Sequence, residues 1–145
     1  MPFVEATMIA GYGPDVKQRL VSAFTRGVLS VMAANPDGVI VVLREVEPSN
    51  WARGGTSRVP GPPLPYALDV VREFVAGRAE VAEESVTLAE PAADYARLDE
   101  SYAEQGSLVF AEGTAGGADV LDQFHVIAGR VVAHRRWMGG GHPAE

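Results

Sequence analysis

Apolar residues follow three different rhythms along this chain, and each rhythm predicts a different element. Phe3–Ala10 is a short, mostly apolar run with Glu5 and Thr7 interspersed, as in a strand. Gly11-Tyr12-Gly13-Pro14 interrupts it. Pro14 suits a first helical turn, where its missing N–H needs no partner, and Asp15 complements the positive end of the helix dipole. Val16, Leu20, Phe24, Val28, Val31 and Met32 then recur at helical spacing and predict a helix with one apolar face. Asn35-Pro36-Asp37-Gly38 stops it. Val39-Ile40-Val41-Val42-Leu43 is apolar without alternation, the pattern of a strand covered on both faces and paired in parallel. Strand, helix, strand in this order implies a right-handed crossover.

A proline-rich stretch, VPGPPLP over Val59–Pro65, cannot form a helix interior or a central strand. It is expected to act as a stiff spacer between a module at 1–58 and another at 66–138, with 139–145 a loose glycine-rich tail. Tyr66–Gly77 predicts a helix with Leu68, Val71, Phe74 and Val75 on one side. Glu80–Glu104 is strongly acidic and reads as partly helical, broken near Pro91. After Gly106 the period becomes two, predicting strands at Leu108–Phe110, Val120–Ile127 and Arg130–Met138. Ala128-Gly129 makes the turn between the last two. With Ile127 opposite Arg130, an unbroken register gives an apolar face of Val120, Phe124, Val126, Val131, Ala133 and Trp137, with Asp122 opposite Arg135. That pair is either an acid–base couple or a cross-strand tie. His125 and His134 fall together on the other face.

Size and charge change this picture in two ways. Residues 1–58, with one helix and two strands, cannot bury enough apolar surface alone, so an obligate homo-oligomer is expected. The net charge of -7 argues against a nucleic-acid partner. It is unevenly spread: the first 58 residues hold six Lys/Arg against five acids, the remainder six Arg against fourteen acids. No apolar run reaches the length of a membrane span and no basic-then-apolar leader is present, so a cytoplasmic protein without membrane contact is expected. Cysteine is absent, which removes thiol catalysis and Cys-type metal sites. No metal or cofactor is expected.

Pro2 is the residue with the most chemical content. A small second residue permits removal of Met1, and the product here is a secondary amine at the chain terminus. Desolvation or a nearby cation disfavours its charged form and makes it a general base near neutral pH. Taken alone, Pro2 says only that Met1 is removable. Its setting says more: Pro2, Phe3-Val4-Glu5-Ala6-Thr7-Met8, Gly11, the helix Val16–Met32, Val39–Val46, then Glu47-Pro48-Ser49-Asn50-Trp51 before Gly54-Gly55. Over residues 2–58 this resembles the tautomerase superfamily, in particular the short β-α-β chains of the 4-oxalocrotonate tautomerase family.

The resemblance implies a small enol or conjugated carbonyl substrate, Pro2 as the base or acid that moves a proton between carbons, and a trimer or hexamer. It implies an apolar wall at Trp51. Two arginines of the family's dicarboxylate isomerases are replaced here, by Tyr12 and Ile40. Arg44, on the same strand parity as Ile40, and Arg53 in the glycine-rich tail are the cations available from new positions, and Tyr12 supplies a hydroxyl. These departures point to a more neutral or differently charged substrate and leave hydratase, dehalogenase and Michael-type chemistry open.

The second module carries another likeness. Tyr102–Phe110 and Asp122–Met138 resemble the closing strands of SnoaL-like proteins of the nuclear-transport-factor-like cone. The chain is thus expected to be α+β, a tautomerase-like β-α-β unit followed by a reduced SnoaL-like helix-plus-antiparallel-sheet module. The alternative function is small-molecule binding or a cyclase or isomerase activity in that module, with the first module serving oligomerisation. Gly113–Gly117 joins two predicted strands without a following helix or lysine, so it is no phosphate loop.

Overall fold

The computed structural model describes residues 1–78, 86–103 and 105–139. The expectations for residues 79–85, for Glu104 and for the tail 140–145, including His142, lie outside the described residues. Contacts divide the chain into two units, Met1–Pro63 and Leu64–Glu145.

In unit 1, β1 (Phe3–Ile9) and β2 (Ile40–Val46) pair in parallel across α1 (Pro14–Val31). Pro14 sits in the first turn of α1 as its missing N–H allows. Asn35 ends the descent from the helix by accepting the Asp37 N–H at 3.1 Å on its side-chain oxygen, which opens a 3₁₀ turn at Pro36–Gly38. The register sets Phe3 opposite Ile40, Glu5 opposite Val42 and Thr7 opposite Arg44 on one sheet face. Lys17 of α1 reaches Glu45 at 2.7 Å, so the helix covers the other face. After β2 a 3₁₀ turn at Pro48–Asn50 leads to a small hairpin, β3 (Ala52–Arg53) and β4 (Thr56–Ser57). Gly54 and Gly55 carry φ of +61° and +76°, the conformation a two-residue hairpin turn of the primed type requires. No residue of unit 1 is fully buried, and Phe3, Val31, Met32 and Ile40 are exposed.

Unit 2 has a true core. Helix α2 (Ala67–Val75) lays Ala67, Val70, Val71 and Phe74 on a four-stranded antiparallel sheet of β5 (Asp94–Ala103), β6 (Gly106–Ala115), β7 (Ala118–Ile127) and β8 (Arg130–Met138), in that order. Val109, Ala111, Phe124, Val126 and Val131 complete the cluster, with Phe74 edge-on to Phe124 at 5.9 Å.

Two findings correct the sequence reading of this unit. Asp94–Ala103, expected to be partly helical, is an edge strand. Its Tyr95, Leu98 and Tyr102 have helix-like spacing because a bulge between Tyr95 and Arg97 adds a residue to the strand. Second, Ile127 does face Arg130, but a bulge between His125 and Val126 shifts everything beyond it. Asp122 therefore faces Arg136 and not Arg135. His134 joins the core face and stacks on Phe124 at 4.6 Å, away from His125, while Ala133 and Trp137 move to the opposite face.

The β5 bulge also explains Gly113. A Cβ there would come within 2.1 Å of the Asp94 carbonyl oxygen, a backbone atom that cannot swing aside. Gly113→Ala is expected to destabilise unit 2 by about 1–3 kcal/mol, read as a lower thermal midpoint, with the β5 amides losing hydrogen-exchange protection first.

Candidate active site

Pro2 precedes β1, and its lack of an N–H removes nothing from the strand ladder. Its carbonyl accepts the Ile40 N–H at 3.0 Å, which locks the beginnings of β1 and β2 together. Pro2 is half-buried, and Met1 before it is 91% exposed. Beside them lies a pocket of about 370 Å³ lined by Met1, Pro2, Met32, Ala33, Ala34, Asn35 and Gly38. No lining residue has a charged side chain. Asn35 supplies the one polar side chain, and because its oxygen holds the Asp37 N–H, its amide N–H groups remain the side-chain donors of this pocket. Sequence reasoning used Asn35 as a helix stop. Its preference for capping hid its place beside Pro2.

The other sequence-derived candidates divide between the two ends of the strand pair. Ile40 stands at the Pro2 end, 41% exposed and opposite Phe3. Tyr12 lies past the far end of β1, roughly 20 Å away at the rise of a seven-residue strand. Gly11 beside it, at φ +124°, packs so closely on Pro60 that a Cβ would meet the ring at 2.8 Å. The segment after the hairpin therefore returns to the Tyr12 end. Trp51 belongs to that end too: half-buried, it closes the 3₁₀ turn by donating its N–H to Pro48 and accepts the Arg58 N–H at 2.9 Å. Arg53 is exposed on the hairpin. Arg44, four residues along β2 from Ile40, lies on the same sheet face, where its Nε is 2.9 Å from Glu5 Oε1 in an exposed ion pair. Unit 1 thus brings Pro2, Ile40 and Asn35 together and holds Tyr12, Trp51 and Arg53 apart from them.

Unit 2 contains a second chemically dense cluster, one that sequence reasoning located only in part. Asp122, fully buried, accepts hydrogen bonds from Arg136 Nε (2.8 Å) and from a terminal Arg136 nitrogen (2.7 Å), and from the Tyr95 hydroxyl (2.6 Å). His134 Nε2 lies 3.2 Å away, not aligned as a hydrogen bond. Arg136 also donates to the carbonyls of Ala89 (3.1 Å) and Pro91 (2.6 Å). Burial pushes the Asp122 carboxyl upward, but the hydrogen bonds from Arg136 and Tyr95, with His134 close by, outweigh it and hold the group below its ordinary value. Burial, then the bond to Asp122, pushes the Tyr95 hydroxyl up. With its carboxylate paired to Arg136 and Arg136 bonded to two carbonyls, the cluster is a fastening of the sheet to residues 89–91 rather than an open acid–base couple. Among the described residues, no group of three or more His, Asp or Glu is arranged to hold a metal ion, and no helix is long and apolar enough to cross a membrane.

Comparison with known proteins bears on unit 1. A family model described as tautomerase enzyme matches residues 2–59. The probable tautomerase K2 of Dickeya dadantii (strain 3937) is 33% identical over 58 residues, covering 39% of this chain and 87% of the relative. A solved structure, from a kinetic and structural characterisation of the 4-oxalocrotonate tautomerase isozymes from Methylibium petroleiphilum, is 21% identical, with 39% of this chain and 88% of that chain covered and a TM-score of 0.37. Through the β-α-β unit that begins at Pro2 and ends just past the Gly54-Gly55 hairpin, this chain belongs to the tautomerase family.

Proposed function

We propose that this protein is a tautomerase-like isomerase in which Met1 is removed and the Pro2 nitrogen moves a proton between carbons of a small enol or conjugated carbonyl compound. The observation that carries the reading is the placement of Pro2, one residue behind an exposed chain end and against a pocket without charged side chains. Such surroundings disfavour the protonated amine and leave a base. In ketonisation, the neutral amine takes the proton of the enol hydroxyl, and the ammonium so formed delivers it to the enol carbon, which gives the ketone and regenerates the amine. The oxygen carries negative charge on the way, and the Asn35 amide is the protomer's own donor for it.

Tyr12, Arg44, Trp51 and Arg53 enter this scheme from a second copy. The separation of the two strand ends in one chain supports a reading in which a neighbour's far end closes over Pro2 and Ile40. The exposure of Phe3, Ile40, Val31 and Met32, in a unit without a buried residue, supports such an assembly, because burying them stabilises each copy. Ile40, in place of a cation, favours a neutral substrate over a dicarboxylate.

The test joins intact mass to an assay. The mature protein is expected to lack Met1 and to ketonise phenylenolpyruvate, and Pro2→Ala to do so at least tenfold more slowly. A retained Met1, or equal rates for the two proteins, would remove Pro2 from the mechanism.

A further inference from the structure

A second cavity is far from this chemistry in sequence and lies within unit 2. It is a groove of about 820 Å³ across one end of the four-stranded sheet, formed by residues at the start of β5 and β7 and at the end of β6 and β8. Its volume is that of a small-ligand site. On the sheet face away from α2, the register sets Asp94, Thr114 and Asp119 in one cross-strand row and Glu112, Leu121 and Trp137 in the next. Leu121, Trp137 and Met138 are large apolar groups left exposed, Trp137 by 47%. The lining includes three carboxylates and no Lys, Arg or His. Among the described residues, no ion pair takes up Asp94, Glu112 or Asp119, whereas Arg97, opposite Glu112, is held by Asp99 at 2.8 Å.

We propose that this groove binds a small organic cation, an ammonium carried on a flat apolar body. The charge of the walls excludes an anion. A neutral apolar guest would strip water from the carboxylates without replacing it. A bare divalent ion is disfavoured, because among the described residues Asp94, Glu112 and Asp119 do not form a group of three arranged to hold a metal ion. An ammonium answers both features at once: its charge sits toward the carboxylate row, and its body lies against Leu121 and the Trp137 ring, whose face attracts cations. The site is independent of Pro2 and of the tautomerase reading.

Trp51 and Trp137 are the two tryptophans of the chain, so Trp51→Phe leaves Trp137 as the reporter. Benzyltrimethylammonium titrated into that protein is expected to change Trp137 emission saturably. Benzyl alcohol, which keeps the ring and drops the charge, is expected to bind at least tenfold more weakly. Neutralising the walls with Asp94→Asn, Glu112→Gln and Asp119→Asn, in a protein whose circular dichroism and thermal midpoint show it folded, is expected to weaken the cation at least tenfold. An unsaturable response, equal affinity for cation and alcohol, or undiminished binding by the folded triple variant would overturn the proposal.

Discussion

Inserting one alanine between Met1 and Pro2 is expected to lower kcat for phenylenolpyruvate ketonisation by about 10²- to 10³-fold, with little change in KM. The insertion keeps the proline ring, the start of β1, the Pro2-to-Ile40 hydrogen bond and the pocket residues Met32, Ala33, Ala34, Asn35 and Gly38. It changes one atom's chemistry, because the Pro2 nitrogen becomes an amide whose lone pair is delocalised and no longer basic. The new terminal amine stands one residue further out, about 3.8 Å along the chain. A loss in kcat without a loss in KM is the mark of a group that acts in the transition state rather than in substrate binding. Pro2→Ala is expected to lose less than the insertion, since alanine also permits Met1 removal and leaves a primary amine at the same place. If the insertion variant matches the parent protein, the nitrogen has no part in the reaction.

The largest effect on stability is expected at Asp122. Asp122→Ala is expected to cost about 3–5 kcal/mol, because Arg136, itself largely buried, is left charged without its partner and the Tyr95 hydroxyl without its acceptor. In a unit of this size that lowers the thermal midpoint by more than 10 °C. The pH dependence has a definite sign. A carboxyl held below its ordinary value contributes stability that is complete above that value and is lost as pH falls through the folded-state value. The parent protein is therefore expected to lose stability in acid more steeply than Asp122→Asn, which has no proton to take up there. Denaturant midpoints measured for both from neutral pH downward test this, and parallel curves would show that the carboxylate is not the acid-sensitive fastening.

Much of unit 1 was legible in sequence because local signals and tertiary pairing agree there. Pro14, the helical spacing from Val16 to Met32 and the apolar run after Gly38 each point to the element that forms. Unit 2 was less legible because its two bulges leave no compositional trace. Nothing in Val131-Val132-Ala133 distinguishes a continuous strand from one with an extra residue, yet that residue decides whether Arg135 or Arg136 meets Asp122. Asp94–Ala103 is acidic and spaced like a weak helix, and only pairing with β6 makes it a strand. For the proposed site, chain order draws attention to Pro2, and strand parity alone sets Arg44 on the face of Ile40. Chain order was not enough to find Asn35, whose proximity to Pro2 depends on where α1 delivers the chain, nor to show that Tyr12 lies a strand's length from Pro2.

The account rests most heavily on the state of one nitrogen, and a pH titration of ¹⁵N-labelled Pro2 by NMR in the mature protein reads it directly. The prediction is a free secondary amine that loses its proton below the ordinary range of a chain-terminal amine, with the same midpoint appearing in the pH profile of kcat/KM. A nitrogen still joined to Met1, or one that titrates like a terminal amine in open water, would contradict it.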